Sequence, residues 1–421
     1  MKSKNGLIAL LMRALTLVLL FAICFNLAAC AVRIKAESLS EGVAPRSVTP
    51  TAELSRGSVA AADLGLRLLR EADEENPLFS PLSIMSALGM TANGAAGETL
   101  SQMEEMLGMS IEELNIFLYS YLTGLPQGEK YKLSSANSLW LNDNSRFTPN
   151  RDFLQTNADY YGAEIYSAPF DNSTLRDVNA WVKQKTDGMI PKVLNDIPES
   201  AVAYLINALA FEAEWLSIYE KHQVRDGTFT AASGEKREVE LMYGSEGRYI
   251  EDEGAVGFMK SYYGGKYSFV ALLPREGVEL SDYLSTLSGE RLNALLTSPE
   301  YTEVKTAIPK FEAEYSTDLS EALVSLGMTD AFDLQRADFS RLGSSKAGNL
   351  FISRVIHKTF IEVGEKGTRA GAVTVVETND GAACPPEDPK EVYLDRPFLY
   401  MLIDSEASLP FFIGTVTDIG K

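Results

Sequence analysis

The run 368–378 constrains this chain more than any other stretch. Its even positions are Thr368, Ala370, Ala372, Thr374, Val376 and Thr378, all small or β-branched and none charged. Its odd positions are Arg369, Gly371, Val373, Val375 and Glu377, which hold both charges. A period of two with one small, neutral face suits a strand pressed against a packed interior. Yet the run leads into 379–389, where Asn379, Asp380, Gly381, Pro385, Pro386 and Pro389 are turn and loop chemistry. Ahead of it, 351–363 reads as a strand rich in β-branched and aromatic residues, broken by Gly364 and Gly367. The glycines give the backbone places to hinge. Composition alone favours an ordinary edge strand ending in a surface loop. The sharper alternative is a mobile loop able to become a strand of an existing sheet.

The N-terminal residues read as an address. Lys2, Lys4 and Arg13 precede a nearly unbroken apolar stretch, 14–27, closed by Leu27, Ala28, Ala29 and Cys30. This is a secretory signal, too short and wrongly flanked for a membrane span. Small residues directly before Cys30 resemble a bacterial lipobox, which implies cleavage before Cys30 and a lipid on its thiol. Plain secretion is the alternative. Residues 1–29 are therefore expected to be a lipoprotein-type signal peptide. Residues 30–52, with Pro45 and Pro50, are expected to be a flexible spacer. Residues 53–421 are expected to be one folded domain, because no repeat or second linker divides them.

Losing Lys2, Lys4 and Arg13 with the signal takes the formal charge of −20 to about −23. So acidic a chain is unsuited to nucleic acid or to anionic head groups. Membrane association is expected only through the lipid anchor, and the chain is expected to be a monomer. Its three cysteines, Cys24, Cys30 and Cys384, offer no disulfide framework if Cys30 is lipidated. Stability must come from the core.

Within the domain, 54–72 has helical apolar spacing. Asn76 and Pro77 stop it, and a second helix begins at Ser80 or Pro81, with Ser as cap and Pro at the first turn. Residues 100–125 read as two helices and 135–141 as a strand. A helix over 178–187 stops at Gly188. Residues 204–211 and 268–274 are apolar enough for fully buried strands. A helical stripe runs over 319–326 with Gly327 as its stop, and 396–403 and 410–416 are two strands about a turn.

Several of these pieces share wording with one family. Glu365-Lys366-Gly367-Thr368, the small-residue run and the long loop resemble the hinge and reactive-centre loop of a serpin. Asn76-Pro77-Leu78-Phe79-Ser80-Pro81-Leu82-Ser83-Ile84 resembles the family's second helix. The pattern Asn207-Ala208, Phe211, Trp215 is similar to it as well. So are Ile308-Pro309-Lys310-Phe311, Ala337-Asp338-Phe339-Ser340 and Arg396-Pro397-Phe398. The resemblance spans about 55–420, with its pieces in order. It implies an α+β fold of three β-sheets, eight or nine helices and an exposed reactive-centre loop. It also implies a hinge at Glu365, Gly367, Thr368, Ala370 and Ala372. The region where the main sheet opens would include Ser80, Ser83, Asn207 and His357, and Trp215 would stand where the loop first enters.

The resemblance implies a suicide substrate. A serine protease, with cysteine proteases as a second class, cuts the loop and forms an acyl-enzyme. The loop then inserts into the main sheet and carries the protease across the domain. Some 16 residues at about 3.3 Å each reach roughly 50 Å. The resemblance places the cut at Ala382-Ala383 when Pro385-Pro386-Glu387 is aligned with the family, and at Gly381-Ala382, the next choice, when the family's hinge-to-cut spacing is counted from Glu365. Small residues there suit elastase-like or subtilisin-like pockets rather than trypsin-like ones. The competing readings are a non-inhibitory serpin-fold binding or chaperone-like protein, and a surface hydrolase of another fold.

Catalytic chemistry is not apparent. His222 and His357 are the only histidines, and His357 lies in a strand pattern. No nucleophile elbow, phosphate loop, dinucleotide fingerprint or zinc motif occurs. Cys384 has no adjacent base to activate it. The expectation is an inhibitor rather than an enzyme, with no cofactor and no metal.

Overall fold

The computed structural model describes residues 34–419 except 52, 127, 144–146, 199–200, 347 and 369–389. Residues from Ala36 onward form one compact body. Three large sheets organise the body. The first has seven strands in the order β1 (Glu37–Ser38), β5 (Glu164–Ala168), β3 (Tyr131–Asn142), β6 (Ala203–Glu214), β16 (Gly367–Thr368), β15 (Ile356–Gly364) and β13 (Phe311–Asp318). The second has six: β2 (Leu78–Phe79), β19 (Leu409–Val416), β18 (Phe398–Asp404), β11 (Tyr267–Pro274), β10 (Ala255–Ser261) and β9 (Tyr249–Glu251). The third has four: β17 (Lys390–Tyr393), β12 (Val304–Pro309), β8 (Lys236–Glu246) and β7 (Val224–Thr230). A small ribbon pairs β14 (Gly343–Ser345) with β4 (Phe147–Pro149).

Every residue of β11, β18 and β19 is buried, as their unbroken apolar runs require. Their side chains form the centre of the core, where Phe411 meets Phe211 and Tyr267 ring to ring. Nine α-helices surround the sheets among the described residues. They are α1 (Ser55–Glu71), α2 (Pro81–Ala92), α3 (Gly97–Leu107), α4 (Ile111–Thr123), α5 (Arg151–Tyr161), α6 (Asn172–Lys185), α7 (Leu280–Thr286), α8 (Gly289–Thr297) and α9 (Ser320–Ser325). Side-chain oxygens close several N-termini: Ser80 for α2, Ser110 with Glu113 in a capping box for α4, and Asn150 for α5. The α+β architecture matches the expectation from the sequence.

Three local expectations need correction. The strand expected over 351–363 begins only at Ile356. Ahead of it the chain bonds to loops instead: Ile352 N donates to the Ala331 carbonyl, and Val355 N to Ser320 Oγ. The helix expected from 178 starts at Asn172, because Asp171 accepts from the N–H groups of Ser173 and Thr174. Residues 30–52, expected as a flexible spacer, run along the body from Glu37 to Thr51. Glu37 and Ser38 add a short strand to β5, Val43 is buried, and Arg46 makes a two-pronged ion pair with Asp159. Pro45 and Pro50 suggested a linker, but the bonds that fix this segment go to residues 69 to 125 positions away.

Candidate functional site

Gly367 and Thr368 form the whole of β16, and they pair on both sides. Thr368 lies opposite Val363 of β15 and opposite Ala213 of β6. Beyond this two-residue bridge, β6 and β15 pair with each other nowhere among the described residues; each finds its other partner on its far side. Among the described residues, only the two residues of β16 stand between β6 and β15.

The backbone at the bridge is specialised. Gly367 has φ +153°, and a Cβ there would lie 2.0 Å from the Ala213 carbonyl oxygen. Only glycine fits this approach. Thr368 is 2% exposed, and its hydroxyl meets the buried Tyr262 hydroxyl. Tyr262 in turn stacks on Trp215 with ring centroids 4.4 Å apart. Burial pushes the Tyr262 hydroxyl well above its ordinary pKa, so it is a neutral partner for Thr368.

Trp215, just past β6, holds the approach to the bridge. Its Nε1 donates to the Gly364 carbonyl at 2.8 Å and its backbone N–H to the Lys366 carbonyl at 2.8 Å. Tyr219 N donates to the Glu365 carbonyl at 2.9 Å. The Glu365 side chain pairs with Lys310 at 2.9 Å. That hydrogen bond holds the Glu365 carboxyl below its usual range, while Glu240 and Glu365 together raise the Lys310 ammonium.

Below the bridge lies a cavity of about 200 Å³ that Ser83, Asn207 and His357 help to line, among apolar side chains such as Val182, Leu205, Val355 and Ile356. Ser80, the cap of α2, accepts from Ser83 N at 3.2 Å, and its own N–H donates to His357 Nε2 at 3.1 Å. His357 is 5% exposed, faces Phe79 at 5.9 Å, and is driven by burial down to about pKa 3. It is a neutral acceptor. Asn207 donates to Ser135 Oγ and Asn137 Oδ1, both at 2.9 Å, and its buried Oδ1 has no partner among the described residues. Ser83, Asn207 and His357 thus line one cavity, with Ser80 bonded to His357, while Asn207 bonds to β3 rather than to His357.

Cys30, Ala370, Ala372, Gly381, Ala382 and Ala383 lie outside the described residues. Sequence reasoning missed the partners Tyr262, Lys310, Tyr219 and Asn137, which come from distant segments. Only the alternation in β3 and β10 could have flagged inward positions there. Among the described residues no cluster of His, Cys, Asp and Glu is arranged to hold a metal ion, and no helix is long and apolar enough to cross a membrane.

Comparisons with known proteins agree with this geometry. A family model described as Serpin (serine protease inhibitor) matches residues 59–419. The leukocyte elastase inhibitor of Bos taurus is 32% identical over 373 residues, covering 85% of this chain and 97% of that protein. The thermophilic serpin tengpin in its native state is 48% identical, with a TM-score of 0.85 over 92% of this chain and 100% of that one. Its latent state gives 46% identity and a TM-score of 0.77 over 89% of this chain and 100% of that one.

Proposed function

The chain belongs to the serpin family, and on that premise we propose that it is a suicide-substrate inhibitor of serine proteases with shallow specificity pockets, elastase-like or subtilisin-like. Cysteine proteases are a second class of target. The observation that carries the reading is the two-residue bridge. Gly367 and Thr368 already stand between β6 and β15, and the run after them alternates small, neutral residues on one face.

A strand continuing from Thr368 would run between β6 and β15, which pair with nothing else on those edges among the described residues, beside an apolar cavity. Each added residue gains backbone hydrogen bonds, and each inward side chain buries apolar surface. A charge or a proline at the inward positions would oppose this; Thr368, Ala370, Ala372 and Thr374 present neither. The uncut chain is then held in a state less stable than the inserted one, so its persistence is kinetic. Cleavage at Ala382-Ala383, or next at Gly381-Ala382, frees the strand to insert. We assign Cys30 as the lipid attachment site and the outer surface of a bacterial cell as the location; plain secretion is the competing outcome.

The test is incubation with pancreatic or neutrophil elastase and with subtilisin, read by denaturing gel and mass spectrometry. The expected result is a complex that survives the gel and a released peptide beginning near Ala383. Clean cleavage with no complex and full protease activity overturns the inhibitor reading for those enzymes. Unchanged melting temperature after cleavage overturns insertion itself and favours a serpin-fold binding or chaperone-like protein.

A further inference from the structure

Lys260 has no obvious place where it stands. It lies on β10 between apolar neighbours, Phe258 and Met259 on one side and Tyr262 on the other, and it is 2% exposed. A methionine or leucine would fill such a position without desolvating a charge. The ammonium is instead fully engaged. It donates to Glu246 Oε1 at 2.8 Å and to the Ser217 carbonyl at 3.1 Å. It also lies 4.4 Å from the Tyr219 ring centroid and 5.3 Å from that of Trp215, within range of the attraction between a cation and an aromatic face.

Three of those contacts, to Trp215, Ser217 and Tyr219, are to one short segment. The same segment also holds the hinge, through Trp215 to Gly364 and Lys366 and through Tyr219 to Glu365. Lys260 is therefore a strut behind a clamp. The clamp fixes the backbone of 364–366, and with it the register of Thr368 against Ala213 and Val363. That register is the nucleus from which any further strand must grow.

We propose that Lys260, tied down by Glu246, is a positioning residue for loop insertion: it holds the hinge clamp in the geometry from which the strand propagates. The proposal deepens the inhibitor reading and rests on it for its biological meaning. Without the ammonium, the segment 215–219 loses a hydrogen bond at Ser217 and the support of two rings. The bridge then spends time out of register, and insertion slows. A slower insertion lets an acyl-enzyme hydrolyse before it is trapped, so more inhibitor is consumed per protease inactivated. The first encounter with the protease involves the loop and not this segment, so the association rate should not change.

The test compares Lys260→Met and Lys260→Arg with the unaltered protein. Asp159→Asn, which weakens the fold far from the hinge, controls for simple destabilisation. Two readouts are taken. The first is the amount of inhibitor needed to inactivate pancreatic elastase or subtilisin, with the association rate measured separately. The second needs no protease: the rate at which gentle heating converts the chain to a form that resists urea unfolding. The expected result for Lys260→Met is a several-fold rise in the amount required at an unchanged association rate, and a several-fold slower conversion. Lys260→Arg should recover most of both, and Asp159→Asn should show neither. Equal conversion rates for Lys260→Met and the unaltered protein overturn the strut. So does the same slowing in Asp159→Asn. Conversion slowed by Lys260→Met in a chain that traps neither protease keeps the strut and overturns the inhibitor reading for those proteases.

Discussion

The Tyr262 hydroxyl bonds to the Thr368 hydroxyl inside the protein, where each residue is at most 2% exposed. This pairing ties the residue that follows β10 to the end of β16. Tyr262→Phe leaves the Thr368 hydroxyl buried without that partner, at a cost of about 1–2 kcal/mol. Thr368→Arg is more severe, because it forces a long cation into a position that is 2% exposed between two strands. The expected outcome is a chain that elastase or subtilisin cleaves without forming a stable complex, and whose melting temperature no longer rises on cleavage. A complex at normal yield from Thr368→Arg would show that trapping does not depend on a small, neutral residue at this position.

Gly367 tests the same bridge through the backbone. Its φ of +153° and the 2.0 Å approach of the Ala213 carbonyl leave no space for a Cβ. Gly367→Ala must displace either the bridge or the end of β6. A loss of about 1–3 kcal/mol is expected, read as a lower midpoint in urea, together with a shift in Trp215 fluorescence as the indole loses its place against Gly364. The substitution Gly364→Ala is the control, since a Cβ there meets nothing within 4 Å.

His357 should make stability depend on acid. Burial lowers its pKa to about 3 from an ordinary value near 6.5. The unfolded chain therefore binds a proton that the folded chain refuses between those two values. Stability is full above about pH 6.5 and falls as pH drops toward 3, by an amount on the order of 4 kcal/mol once the ring is charged. Protonation also turns the Nε2 acceptor into a donor facing the Ser80 N–H. Urea melts at a series of pH values should show the decline, and His357→Gln should flatten its upper part. A flat profile in the unaltered protein from pH 7 to 4 would mean that the histidine reaches solvent before it charges.

How much of this was legible beforehand depends on whether the cause was local. The strands β11, β18 and β19 are long apolar runs, and the caps Ser80 and Gly327 follow from backbone chemistry, so both were readable. The tight backbone position of β16 was readable for the same reason, from Gly367 and the small, uncharged Thr368. What holds the hinge was not. Lys310, Tyr262 and Tyr219 reach it from other strands and loops, and nothing near them in the chain marks them. Lys260 was hidden more deeply, because an isolated lysine in a strand usually faces water. The docking of residues 37–51 was missed for a similar reason. Proline, serine and alanine suggested freedom, while the groups that remove it, Asp159, Ser120 and the β5 backbone, lie far along the chain.

That docking yields the last prediction. Arg46 donates to Asp159 through its backbone N–H at 2.7 Å, Nε at 2.9 Å and an Nη at 2.7 Å. The Asp159 side chain is only 8% exposed. Burial alone would raise its pKa, but the bonds from Arg46 and Gln155 outweigh burial and hold it below the ordinary value. The pair contributes stability that is present above about pH 4, where the unfolded carboxyl is ionised, and that is lost as pH falls through the lower folded value. Asp159→Asn keeps the shape and removes the charge, so about 1–3 kcal/mol should be lost near neutral pH. The loss should appear first in the segment itself. Hydrogen exchange at 37–46 should quicken, because Glu37, Ser38 and Leu39 are held to β5 by a strand of only two residues. Protection at 37–39 unaltered by Asp159→Asn would mean that the strand docks without help from the ion pair.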